Sequence, residues 1–265
     1  MLTLTQISAY FPEIVFRKNP HGALVEYLQY ELLDSLFKNK GATHLSFIGG
    51  TAIRILHESI RFSEDLDFDS FGFSFSDFEE LLSTACRDME YKGFTIEYRV
   101  VERNAFHCYI RFPKMLYEAG IIPDKGRKIL IQVDTEVKEK YYTPKTILLN
   151  RFSVFRRILA APAAVLLSQK MMAVLYRKRE KGRDLFDVSF LMGFTKPDFT
   201  FVEKSLGIAE KEFIQIFTDR LTELNLEFLA KDVEPFLFTP EQKNRVLFFR
   251  ETWDQEMDRI SSKMK

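Results

Sequence analysis

Between Phe47 and Asp69 the chain reads FIGGTAIRILHESIRFSEDLDFD, and this stretch limits the possible folds more than any other. A short apolar run meets the paired glycines Gly49 and Gly50, a helical segment follows, and Asp65, Asp67 and Asp69 then stand at every other position. In a β-strand this alternation puts the three carboxylates on one face, with Leu66 and Phe68 on the other. Like charges held so close are unfavourable unless something cationic neutralises them, and aspartate is a poor strand former that needs a reason to recur. The stretch is therefore either a solvated edge strand or a face that receives cations, most simply two magnesium ions carrying a triphosphate. Carboxylates on alternate strand residues can converge on two metal ions about 3.5–4 Å apart.

The glycine pair joins the strand His44–Ile48 to a helix that Thr51 would start, with Ile53, Leu56 and Ile60 on its apolar side. Free amides at such a turn can bind phosphate, and the missing Cβ atoms allow close approach. An ordinary tight turn has the same sequence. Upstream, residues 1–20 read as an irregular lead-in and Ala23–Lys40 as a helix, with Leu24, Leu28, Leu32 and Leu36 at helical spacing. Downstream, residues 76–92 read as a helix capped by Ser76 with Glu79 three residues on. Thr95–Val101 and Phe106–Phe112 form a hairpin through Glu102-Arg103-Asn104-Ala105, with His107, Tyr109 and Arg111 opposite the apolar face of the second strand. In the run Lys128–Val137, Ile129, Ile131, Val133 and Val137 define a buried face. Asp134 emerges on the other face with Leu130, Gln132 and Glu136, as a metal ligand or a strand-end solvating group.

Past Tyr141 the character changes. Residues 161–179 are strongly helical, RDLFDVSFLM begins another helix after Gly182, and the chain from Lys211 onward reads as helical throughout. Lys170, Ala173 and Arg177 share one helix face, and Arg183, Asp184 and Asp187 follow on the next helix. Arg177–Arg183 holds five basic residues in seven, suited either to a helix C-terminus or to a phosphate-binding patch. The expected fold is α+β: a mixed β-sheet core flanked by helices over residues 1–150, then a helical half over residues 151–265.

Composition excludes several classes. Apolar residues make up 46% of the chain, with 27 Phe, so a packed core is expected rather than disorder. With 38 basic and 38 acidic side chains the net charge is zero, and any nucleic-acid role needs a local patch. Cys86 and Cys108 make neither a disulfide framework nor a zinc spacing. His21, His44, His57 and His107 form no ligand-spaced pair and read as structural or surface residues. The first twenty residues lack a basic start followed by an apolar run, and no stretch approaches the roughly 18 apolar residues of a membrane span, so a cytoplasmic protein with no membrane contact is expected.

Taken in order, GGTAIRILHESIRFSEDLDFD, IQVDTEV and LLSQKMMAVLYRKREKGRDLFDVSFLM resemble the AbiEii/AbiGii toxin family. These are nucleotidyltransferases of the polymerase-β superfamily, with MenT-type toxins among their relatives, acting in type IV-style toxin–antitoxin and phage-abortive-infection systems. The resemblance covers roughly residues 40–195. It implies that Gly49, Gly50 and Thr51 hold the β- and γ-phosphates, Thr51 standing where many members carry serine. It implies that Asp65, Asp67 and Asp134 are the catalytic, metal-binding acids, while Asp69 lies outside the pair as a solvated neighbour. Lys170 would contact the triphosphate, and Arg183, Asp184 and Asp187 would complete the nucleotide site. Ser63 stands where some relatives carry a phosphorylatable serine.

The implied reaction is magnesium-dependent transfer of a nucleoside monophosphate from an NTP to an acceptor hydroxyl, foremost the 3′ end of tRNA, with a cognate antitoxin as a further partner. Two alternatives stay open: a non-catalytic nucleotide-sensing or partner-binding module, and transfer to a protein or small molecule.

Overall fold

A computed structural model of the chain describes residues 1–262, in two compact units. The first comprises Met1–Glu58 and Phe62–Ala161, the second Ser59–Arg61 and Pro162 onward.

The first unit opens with two short helices where the sequence suggests irregular chain: α1 (Leu4–Ser8), held by a reciprocal cap between Thr3 and Gln6, and α2 (Glu13–Lys18). Then follows α3 (Pro20–Phe37), buried along most of its length, with the Asn19 side chain accepting from the Gly22 amide. A 3-10 turn over Lys40–His44 leads into β1 (Leu45–Ile48), α4 (Gly49–His57) and β2 (Leu66–Ser70). Next come α5 (Phe75–Tyr91), β3 (Glu97–Glu102), β4 (Phe106–Phe112), α6 (Met115–Glu118), β5 (Ile129–Val137), β6 (Lys145–Arg151) and β7 (Val154–Ala160). The cap of α5 is Ser74 paired with Asp77, two residues before the expected Ser76. The earlier start lets the Phe75 and Phe78 rings pack on Phe106, at 5.5 and 5.7 Å.

Among the described residues the strands form a seven-stranded sheet ordered β3-β4-β5-β2-β1-β7-β6. The acidic strand β2 is thus central, antiparallel to β1 and parallel to β5, and the edge-strand alternative falls away. Leu66 and Phe68 are buried on one face, as alternation predicts. On β5 the buried positions are Ile129, Ile131, Val133 and Thr135, whereas Val137, expected inside, is 51% exposed at the strand end. Thr135 takes its place by donating its hydroxyl to the Phe68 carbonyl at 3.0 Å.

The sheet also extends further than residue 150. The β6–β7 hairpin carries the first unit to Ala161, with β7 pairing in parallel with β1. Its tight turn places Phe152 at φ 56°, a conformation that usually favours Gly or Asn. Edge-on packing of the Phe152 ring against Tyr27 and Tyr30, at 5.4 and 5.2 Å, compensates.

The second unit is helical: α7 (Ala163–Tyr176), α8 (Gly182–Met192), α9 (Phe199–Leu206), α10 (Glu210–Glu223), α11 (Leu226–Val233), α12 (Asn244–Leu247) and α13 (Phe249–Ser262). Its core includes Phe186, Phe213, Phe217 and Phe249. The segment Ser59–Arg61 joins this unit through a bridge from Arg61 to Leu237 and a hydrogen bond from the Phe238 amide to the Ile60 carbonyl. No helix among the described residues is long and apolar enough to cross a membrane.

Candidate active site

In the first unit β1 runs straight into α4 at Gly49. Gly49 has φ +78°, and a Cβ added there would lie 2.2 Å from Asp67 Oδ2. Glycine is therefore required twice, by the backbone and by the carboxylate packed over it. Gly50 is buried one residue into the helix, and Ile48 provides no side-chain cap for the first amides of α4. Those amides carry the partial positive charge of a helix start.

Strand register lines up the acids. Ile48 pairs with Asp67, Asp67 with Asp134 across the parallel β2–β5 pair, and Asp134 with His107 on β4. One row across four strands thus holds the glycine turn, two of the predicted acids and a histidine. Asp65 lies immediately before β2, where the buried hydroxyl of Thr51 donates to its backbone carbonyl. That bond ties the first acid to the start of α4 and directs the Thr51 proton to the chain itself. Asp134 is braced from two sides: Gln132 Nε2 donates to its carboxylate oxygens at 2.8 and 2.9 Å, and His107 Nδ1 lies 2.8 Å from Oδ1.

Asp69 is not a solvated neighbour. It is 3% exposed and accepts the Tyr142 hydroxyl at 2.7 Å. Burial, with the Asp69 charge next to it, pushes the Tyr142 phenol well above its usual range, so the proton stays in that bond.

Asp65, Asp67 and Asp134 form an all-carboxylate donor set, the type suited to a hard divalent cation such as Mg²⁺. Among the described residues no three His, Cys, Asp or Glu side chains already stand as a metal-holding cluster. The donor chemistry and the register of Asp67 with Asp134 fit the ion.

In the second unit Lys170 on α7 and Asp184 and Asp187 on α8 come together. Lys170 Nζ lies 2.9 Å from Asp184 Oδ1 and 2.9 Å from Asp187 Oδ2. Arg61 grips Asp187 with both arms of its fork, at 2.7 and 2.6 Å, and Arg177 Nε reaches Asp184 Oδ2 at 3.1 Å. Burial alone would disfavour the Lys170 ammonium, but Asp184 and Asp187 outweigh it and hold its pKa above the ordinary lysine value. Burial likewise opposes the Asp184 carboxylate, and Lys170 with Arg177 overcomes it, leaving that pKa lowered. Arg183 turns elsewhere: its guanidinium stacks over Phe236 at 4.3 Å. The basic run 177–183 is thus partly internal, since Arg177 and Arg183 both meet other groups of this unit.

Four contributors had no local signal strong enough to single them out. His107 and Gln132 share a face with Asp134, but only the strand register brings His107 to it. Arg61 lies 126 residues from Asp187. Gly182 reads as a helix boundary, yet a Cβ there would meet the Leu229 carbonyl oxygen at 1.8 Å, and its amide donates to Asp232 at 2.8 Å.

The fold has solved counterparts. JHP933 from Helicobacter pylori superposes with a TM-score of 0.52 at 15% identity, covering 92% of this chain and 98% of that one. A second H. pylori structure, named provisionally as that of a nucleotidyltransferase, superposes with a TM-score of 0.52 at 16% identity, covering 88% of this chain and 96% of that one. No curated protein sequence matches. The family model described as "Nucleotidyl transferase AbiEii toxin, Type IV TA system" matches residues 31–265, most of the chain and beyond the span that the motifs alone suggest. The chain therefore belongs to the AbiEii family of nucleotidyltransferase toxins of type IV toxin–antitoxin systems.

Proposed function

We propose that the protein transfers a nucleoside monophosphate from an NTP to the 3′-terminal hydroxyl of tRNA, and that a cognate antitoxin restrains it in the cytoplasm. The observation that carries this reading is the row joining the glycine turn, Asp67 and Asp134 through strand register. In this reading the Gly49 and Gly50 amides receive phosphate oxygens at the start of α4. Asp65, Asp67 and Asp134 would hold Mg²⁺, which when bound supplies Lewis-acid stabilisation of the triphosphate and acidifies the acceptor hydroxyl. Thr51 fixes the backbone of Asp65, while Gln132 and His107 keep the Asp134 carboxylate from swinging away. In the second unit Lys170, Arg183, Asp184 and Asp187 are assigned to the nucleotide. Lys170 is suited to this because its two acidic partners keep it cationic at neutral pH.

The test is incubation with each labelled NTP, total tRNA and cell extract, followed by identification of the labelled molecule. Label at the tRNA 3′ end, abolished by Asp67→Asn with unfolding unchanged, is the expected result. Label on a protein or small molecule replaces the tRNA assignment. A thermal shift with NTP that ignores Mg²⁺, with no label transferred, favours the nucleotide-sensing alternative.

A further inference from the structure

From Lys140 to Ala161 the first unit contains five Lys or Arg and no Asp or Glu, although the whole chain balances 38 of each sign. The carboxylate-free run continues in sequence to Arg179. Its folded part in this unit is the β6–β7 hairpin at the sheet edge. Register sorts the hairpin into two faces. Leu149, Ile158 and Val154 are buried on one. On that face Arg156 is paired with Asp34 at 2.7 Å, and Arg151 lies over the rings of Tyr10, Phe11 and Phe152.

The other face is exposed and differently composed. Leu148 pairs with Arg157 and Asn150 with Phe155, whereas Lys145, paired with Ala160, belongs to the first face. Phe155 is 68% exposed and Leu148 48%, and both line a shallow cleft of about 380 Å³ together with Phe37, Arg156 and Arg157. On this face Arg157 has no carboxylate partner among the described residues. Lysine on an edge strand protects against edge-to-edge pairing, but that purpose does not call for an exposed phenylalanine beside an unpaired arginine. An exposed aromatic ring beside an unpaired arginine, with no acid in either strand, has the composition of a single-stranded nucleic-acid platform: the ring stacks a base and the cation meets a phosphate.

We infer that the exposed face of the β6–β7 hairpin, with Phe155 as the stacking residue and Arg157 as the phosphate contact, binds an unpaired segment of RNA. The inference rests on the RNA acceptor proposed above and assigns a surface that holds it. The experiment is fluorescence anisotropy of labelled bulk tRNA with the full chain over a salt series. It compares the unaltered protein with Phe155→Ala and with Arg157→Gln. Thermal unfolding, with and without NTP, checks each variant. Phe155→Ala should weaken binding about tenfold. Arg157→Gln should weaken it as well and lower the salt slope by about 0.7, the value for one lost phosphate contact on a single strand. The NTP-induced thermal shift should stay unchanged in all three proteins. Binding of tRNA with unaltered affinity and slope in the variants overturns this surface and leaves the RNA acceptor standing. Absence of any tRNA binding overturns both. Competition by polyglutamate as strong as that by RNA assigns the face to an acidic protein and overturns the inference as well.

Discussion

Gly49 illustrates how much one residue can be asked to do. Its left-handed backbone and the Asp67 oxygen 2.2 Å from where a Cβ would stand leave no room for a side chain. Gly49→Ala should destabilise the first unit by about 1–3 kcal/mol through backbone strain alone, and should displace Asp67 as well. Chemical denaturation checks the first effect, and loss of label transfer beyond the loss of folded protein checks the second. Arg61 and Asp187 make a different kind of residue pair, with side chains 2% and 0% exposed. Arg61→Leu should destabilise by about 3–5 kcal/mol, because the buried Asp187 carboxylate loses both bonds of the fork and keeps only the Lys170 charge to offset it. Arg61→Leu combined with Asp187→Leu should recover part of that loss. A double-mutant cycle by urea unfolding measures the coupling.

At the scale of elements, the α7–α8 pair ties stability to pH. The lowered Asp184 pKa contributes stability that is full above its unfolded value near 3.8 and lost as pH falls through the lower folded value. The raised Lys170 pKa contributes stability that is full below its unfolded value near 10.5 and lost as pH rises through the higher folded value. Unfolding midpoints of the protein should therefore keep this pair's contribution from about pH 5 to 9. Lys170→Met should lower the midpoint across that window and flatten the alkaline limb. Circular dichroism at a series of pH values follows both.

The same scale shows what a reader of the sequence can and cannot see. Alternation of apolar residues finds β4 and β5, and helical spacing finds α3, α5, α7 and α8; β4, β5 and α5 each bury one regular face, whereas α3 and α8 are buried nearly all round. The β6–β7 hairpin escapes since its turn lacks the glycine or asparagine that announces such turns, Phe152 taking the strained position instead. Local spacing marks out Asp65, Asp67 and Asp69 together, and the glycine turn with them. Asp69 looks equivalent to the other two acids, and only the Tyr142 hydroxyl, 73 residues away, reveals it as an internal anchor. His107 becomes part of the site for the same reason: strand register is a property of the sheet and not of any one strand.

Across the whole molecule, the family assignment covers both units, since the matched residues run from 31 to 265. Zero net charge conceals an uneven distribution, with the carboxylate-free run beginning at Lys140. The parallel pairing of β2 with β5 has a consequence for how the toxin comes into being. Parallel neighbours cannot be joined by a tight turn, so a long stretch of chain must intervene. A ribosome therefore releases Asp65 and Asp67 well before Asp134, and Arg61 before the aspartate 126 residues further on that neutralises it. No nascent chain ending short of residue 134 can align its acids, and none ending short of residue 187 can close the Arg61 fork. Neither arrangement can exist in the cell until the ribosome has passed residues 134 and 187 respectively.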